Sequence, residues 1–183
     1  MARHVLVVDY DPTWPQKFRQ EAQKIRAILK DNCAAIYHIG STSVPGLAAK
    51  PVIDIMPVVY SLEKVDLVAE EFRQIGYEYM GEWGIPGRRY LRKGGDHRTH
   101  HVHIFAQSDT ENIRCNLAFP HYLRTHESVK QEYARLKKEL AVQYPYDIEA
   151  YCDGKDAFIK AVDAAAKEQA VPQADLENES PML

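Results

Sequence analysis

No run of apolar residues in the 183-residue chain approaches the roughly 18 that a membrane-spanning helix needs, so none is expected. A basic excess is missing too: 23 Lys and Arg stand against 26 Asp and Glu, a formal net charge of -3. Sequence-independent nucleic-acid binding is driven by cations that release condensed counterions, and this balance argues against it. Cysteine is scarce. Cys33, Cys115 and Cys152 are odd in number, far apart and in no C-x-x-C, which disfavours a disulfide frame or a zinc-thiolate site. The opening residues carry one short apolar run before Asp9, Asp11 and Pro12, a poor secretory signal, so the expected location is cytoplasmic. There is no G-x-x-x-x-G-K-[ST], G-x-G-x-x-G, H-E-x-x-H or G-x-S-x-G.

What remains is an ordinary globular composition, 45% hydrophobic and 27% charged. Residues 1–167 are expected to form a single α/β (α+β) domain without internal repeats. Residues 168–183 contain no Lys or Arg and predict a disordered acidic tail. Phe18, Ala22, Ile25 and Leu29 recur at helical spacing, with Lys17, Arg19, Glu21 and Lys24 off that stripe, which predicts a helix over 14–32. Residues 34–39 and 52–59 read as strands, with a turn and a brief helix between them. Leu62, Val65, Val68 (or Ala69), Phe72 and Ile75 predict one further amphipathic helix. Residues 76–96 hold six of the nine glycines, and strands are expected at 77–80 and 88–93, followed by another at 97–106. From Asn112 the pattern is helical, with stripes through Val129, Tyr133, Leu136 and Leu140 and through Phe158, Val162 and Ala165.

Three places could carry chemistry. In the first, His38-Ile39-Gly40-Ser41-Thr42-Ser43 joins a strand to a helix, where backbone N–H groups and a hydroxyl suit phosphate or carboxylate. A plain Ser-capped turn reads the same way. Asp54 follows inside the apolar run Val52-Ile53-Asp54-Ile55-Met56, where a buried charge needs a partner or a cation.

In the second, strand alternation puts His101 and His103 on one face, able to chelate one metal ion or to stand as neutral filler. Half of the eight histidines fall within residues 97–103, which favours a site. In the third, Arg88, Arg89, Arg92, Lys93 and Arg98 lie close together. Arg88, Tyr90 and Arg92 share a face that could grip a polyphosphate or be a solvated hairpin. Asp147, Tyr151 and Lys155 fall along one side of a helix, which by spacing alone reads as a surface row of ion pairs.

The block His38–Ile55, HIGSTSVPGLAAKPVIDI, resembles the signature of the GrpB family of bacterial proteins. That family is grouped with the nucleotidyltransferase superfamily that includes DNA polymerase beta, and it also occurs fused to dephospho-CoA kinase. The resemblance spans about residues 7–165. It includes Tyr10-Asp11-Pro12-Thr13-Trp14-Pro15, His101-Val102-His103, Tyr122-Leu123-Arg124, Tyr133-Ala134-Arg135-Leu136-Lys137, Tyr151 and Lys155.

The resemblance implies a nucleotidyltransferase-like small mixed β-sheet flanked by helices, with further helices at the C-terminus. It implies that Gly40 and Ser41 hold a triphosphate; Thr42, Lys50, Arg88, Arg92 and Lys155 are the further candidates for its phosphates. Asp54 stands for the first carboxylate of the superfamily's D-x-D strand; the second position is Met56. His101 and His103 occupy the strand that supplies the third carboxylate, so Asp54, His101 and His103 are the implied catalytic and metal-binding set. The implied cofactor is a divalent metal, Zn, Mn, Ni or Mg; two imidazoles favour the first three. The implied partner is a nucleoside triphosphate or other phosphorylated small molecule, and the implied reaction is nucleotidyl transfer. A non-catalytic nucleotide-binding module and a protein-interaction or chaperone-like domain are the alternatives. In a second departure, Pro120-His121 stands where the family usually has Arg-Asp.

Overall fold

A computed structural model describes residues 4–169. The first helix, α1 (Trp14–Leu29), has Pro15 in its first turn, where a missing N–H leaves no bond unmade. It buries Trp14, Phe18, Ala22, Ile25 and Leu29, the expected stripe. Glu21, expected off that stripe, is instead 3% exposed. Its carboxylate accepts from Lys93 Nζ at 2.6 Å and Lys24 Nζ at 3.0 Å, the pairing that lets a charge stay buried.

Five strands follow: β1 (Cys33–Ile39), β2 (Ile53–Val59), β3 (Tyr77–Tyr79), β4 (Arg88–Lys93) and β5 (His100–Ala106). They form one sheet in the order β1-β2-β5-β4-β3, with β2 and β5 parallel and the other pairs antiparallel. The central strands are covered on both faces, which explains their near-continuous apolar runs. Ile53, Ile55, Val102 and Ile104 pack with α1, and Met56, Val58 and Phe105 pack on the other face with Leu117. Strand β5 starts three residues later than the alternation predicts, because Gly94 (φ 101°) turns the chain so tightly that Thr99 N–H donates to Lys93 O.

The helix expected over 62–75 is two short ones, α2 (Leu62–Leu67) and α3 (Ala69–Gln74). Val68 leaves helical geometry (φ -105°, ψ 16°), and its N–H bonds three residues back, to Val65 O. Val65 and Phe72 are fully buried on either side of the break.

The chain closes with α4 (Thr110–Thr125), α5 (Glu127–Gln143) and α6 (Ile148–Glu168). Leu123, Tyr133 and Val162 from these helices pack around Val44 and Leu47, the segment between β1 and β2. Gly154 of α6 meets α5 so closely that a β-carbon there would lie 2.5 Å from Leu140 Cδ2. The row Asp147, Tyr151, Lys155 is not a set of surface ion pairs. Asp147 caps α6 by accepting from Ala150 N–H at 3.0 Å, and Tyr151 is wholly buried. Among the described residues no helix is long and apolar enough to cross a membrane. Of the tail expected over 168–183, residues 170–183 lie outside the described residues.

Candidate functional site

Register makes the site. In the parallel pair, Asp54 sits beside His101; in the antiparallel pairs, Asp54 faces Ile39 and His103 faces Tyr90. Asp54, His101 and His103 therefore rise from one face at the centre of the sheet, and β1 delivers the Gly40–Ser43 turn to the same end. Asp54 Oδ1 lies 3.3 Å from His101 Nδ1 and 3.7 Å from His103 Nε2. Burial works against the Asp54 charge, but the bonds to His101 and His103 outweigh it and hold the carboxyl well below the usual carboxylate range. One donor atom from each of the three residues falls within a 4.8 Å span. One carboxylate and two imidazoles suit a borderline divalent cation.

Gly40 adopts φ 68°, and a β-carbon there would stand 2.6 Å from Asp54 Oδ2. Only glycine lets the turn and the carboxylate come this close. After it, Ser41–Ser43 form a single 3₁₀ turn. That is too short for the helix-end field expected at this place. The turn is braced from both sides: Ser43 Oγ donates to Gly40 O at 2.7 Å, and Arg124 Nη2 of α4 donates to Ser43 O at 2.9 Å and to Ser43 Oγ at 3.1 Å.

Thr42, expected on phosphate, is buried and bonds His38 Nε2 through Oγ1 at 3.0 Å. His38 stacks on Phe18 with ring centroids 4.7 Å apart. Its burial pulls the imidazole pKa down to about 4 against the opposing charge of Asp54, so the ring is neutral near pH 7.

The arginines share the expected face and are largely occupied. Arg88, 7% exposed, donates to Glu82 O at 3.2 Å and Trp83 O at 2.7 Å, tying the 82–87 loop to the sheet. Its Nη1 also lies 3.4 Å from His103 Nδ1. A guanidinium can only donate, so this contact leaves the His103 ring proton on Nε2, toward Asp54. A cation ligated through Nε2 requires the other tautomer. Arg92 pairs with Glu78 at 2.7 Å beneath the Trp83 ring, and Arg98 pairs with the same carboxylate.

The lysines stand differently. Lys50 and Lys155 lie over one ring, their Nζ atoms 5.2 Å and 4.5 Å from the Tyr151 centroid. Burial lowers the Lys155 pKa, and the charge of Asp54 opposes that shift. Two further residues, named in the sequence only as part of a helix, were given no role in a site there. Tyr133 of α5 interacts with Ser41 through its hydroxyl, and Lys137, one turn on, is 2% exposed with Nζ 4.3 Å from the Tyr133 centroid. One signal was available: Tyr133, Lys137 and Leu140 recur at i, i+4 and i+7, which places a lysine on a buried stripe.

Comparison with known proteins bears on the family and the fold. A family profile described as GrpB protein matches residues 4–165. A Bacillus subtilis protein named YqkA is 44% identical over 165 residues, 90% of this chain and 48% of that protein, so the chain spans about half of that relative's length. The crystal structure of a conserved GrpB protein from Enterococcus faecalis superimposes with a TM-score of 0.87 at 51% identity, covering 90% of this chain and 98% of that one. The Cid1 poly(U) polymerase matches 74% of this chain and 44% of its own with a TM-score of 0.51 at 17% identity, a likeness of fold to a nucleotidyltransferase. By profile, by sequence and by fold, the chain belongs to the GrpB family.

Proposed function

We propose that the chain binds a nucleoside triphosphate, or another phosphorylated small molecule, where the Gly40–Ser41 turn meets Asp54, and transfers its nucleotidyl group to an acceptor. The observation that carries this reading is the convergence of Asp54, His101 and His103 beside a glycine turn that only glycine can make. Gly40 holds the turn against Asp54, and Ser41 supplies a hydroxyl donor. Lys50 and Lys155 offset phosphate charge. Arg92 would first have to leave Glu78, and Arg88 its loop carbonyls, so the lysines take the leading part.

Asp54, His101 and His103 would hold the divalent cation. When bound, such a cation offsets charge on the transferred and leaving phosphates.

A second reading, binding without transfer, is favoured by Met56. It is fully buried in the apolar cluster with Phe105 and Leu117, at the position where a two-metal site needs a second carboxylate.

A thermal-shift matrix of nucleoside triphosphates against Zn²⁺, Mn²⁺, Ni²⁺ and Mg²⁺ tests both, because a ligand of the folded state raises the melting temperature. Transfer requires a shift with nucleotide and metal together, plus pyrophosphate release on adding acceptors; binding alone requires only the shift. If no triphosphate binds at millimolar concentration with any metal, the nucleotide site falls.

A further inference from the structure

Two buried hydrogen-bond donors beside the proposed nucleotide cleft have no partner among the described residues. Lys137 Nζ and the Tyr151 hydroxyl are both sealed from solvent, and neither makes a hydrogen bond there. Such groups are rarely left unmet, because an unpaired buried polar atom forfeits its hydration without return. Both belong to one cluster. Lys50 and Lys155 lie over the Tyr151 ring, and the charges of both act on Lys137. Lys137 lies over Tyr133, whose hydroxyl reaches Ser41. Lys50 and Lys155 are partly buried, and Lys137 is the more deeply buried amine. Two donors without an acceptor, among three ammonium groups, call for an anion to complete them.

We infer that Lys137 is the inner member of a three-lysine receptor for a di- or triphosphate group, one that holds the anion without a metal ion. The inference rests on the phosphate-binding reading above and adds to it a named chemistry and a named residue. A phosphoanhydride chain sets more negative charge and more acceptor oxygens against three amines and two unmet donors than orthophosphate does. The chain could be the tail of a nucleotide or free inorganic polyphosphate.

The cluster also sets the starting charge. Burial and the neighbouring Lys155 and Lys50 bring the Lys137 pKa down to about 7. Tyr133 on its own helix lies beneath it, while Cys152 of α6 acts on Tyr151 and Lys155, and Asp54 of β2 acts on Lys155. Above pH 7 the amine is therefore largely neutral, and an entering polyanion makes it take up a proton.

The test is isothermal titration of the whole chain with inorganic tripolyphosphate and with orthophosphate, in EDTA, at about pH 8 in buffers of different ionisation enthalpy. The expected result is that tripolyphosphate binds, orthophosphate binds far more weakly, and Lys137→Met weakens tripolyphosphate by roughly tenfold or more, as for a lost charged hydrogen bond. The proton taken up by the wild type should exceed that taken up by Lys137→Met; the ligand's own protons are common to both. Lys155→Met should weaken binding and leave only part of the proton uptake, because removing that charge lets the Lys137 pKa rise; its weakened binding serves alone if Lys137→Met does not fold.

The receptor is overturned if tripolyphosphate does not bind in EDTA, if Lys137→Met binds it as the wild type does, or if Lys155→Met does. A nucleotide that binds with Mn²⁺ while tripolyphosphate fails in EDTA sinks the receptor and leaves the nucleotide site standing. Lysine-dependent capture of tripolyphosphate with no nucleotide binding does the reverse.

Discussion

The backbone of Gly40 and the carboxylate of Asp54 occupy space that a single methyl group would contest: a β-carbon on residue 40 would lie 2.6 Å from Oδ2. Gly40 follows directly on β1 and Asp54 lies on the neighbouring β2, and the Ile39–Asp54 pairing brings them together. The turn and the acid are thus one unit.

Gly40→Ala should therefore cost both binding and folding. With φ 68° and ψ -171°, residue 40 sits in backbone essentially closed to other residues, where a side chain costs on the order of 1–3 kcal/mol, and Asp54 must also move off the imidazoles. Denaturant melts should show a loss of that size, while zinc and triphosphate titrations show affinity reduced by an order of magnitude or more. Unchanged affinity in the alanine variant would separate the turn from the site.

Zn²⁺, Mn²⁺ and Ni²⁺ should raise the melting temperature more than Mg²⁺ does, because two of the three donors are imidazole nitrogens. In His101→Ala/His103→Ala the shift should vanish while the chain still folds, as both rings are partly exposed. A zinc shift in that double variant equal to the wild type's would show the histidines to be filler.

The Arg88 contact makes a spectroscopic forecast. In metal-free protein, long-range proton–nitrogen spectra should show His103 with its proton on Nε2, since Nδ1 accepts from Arg88. Adding zinc should move that proton to Nδ1 and free the arginine. If His103 already carries its proton on Nδ1 without metal, the arginine does not set the tautomer.

Lys137 should be visible in the pH dependence of stability. Its pKa is about 7 in the fold against an ordinary lysine value of 10.5, so between those limits the unfolded chain holds more protons. Stability rises with pH across that window, by about 1.4 kcal/mol for each pH unit between the two values, and is flat in this respect below pH 7. Lys137→Met removes the penalty. It should melt higher than wild type at pH 7, with the gap closing toward pH 10. An equal gap at both pH values would mean that the amine is not buried as described.

Much of this was legible in the chain. The alternation of residues 97–106 puts His101 and His103 on one face, and the expectation that Asp54 shares it is met by the β2–β5 register. The break at Val68 was half visible: the helical stripe could be continued through Val68 or Ala69, and the helix ends at that ambiguity. The occupation of the arginines was not visible, because Glu78 and the carbonyls of Glu82 and Trp83 meet them only once β3 and β4 pair. Thr42 looked like a phosphate donor because nothing local shows that His38 lies beneath it. Lys137 was hidden by the usual expectation that a helical lysine faces water. Its burial depends on α6 folding back over α5, a tertiary contact that helical spacing alone does not show.

The pairing of β2 with β5 has a consequence for folding. Asp54 and His101 are neighbours across a parallel seam but about fifty residues apart along the chain, so the seam closes only after a long loop has been ordered. The hairpin of β3 and β4 and the α2–α3 pair lie inside that loop. A ligand gripping both Asp54 and His101 would act as a clasp on the slowest part of the sheet to assemble. It would then lengthen the lifetime of the folded state by slowing its unfolding, more than it would hasten its formation.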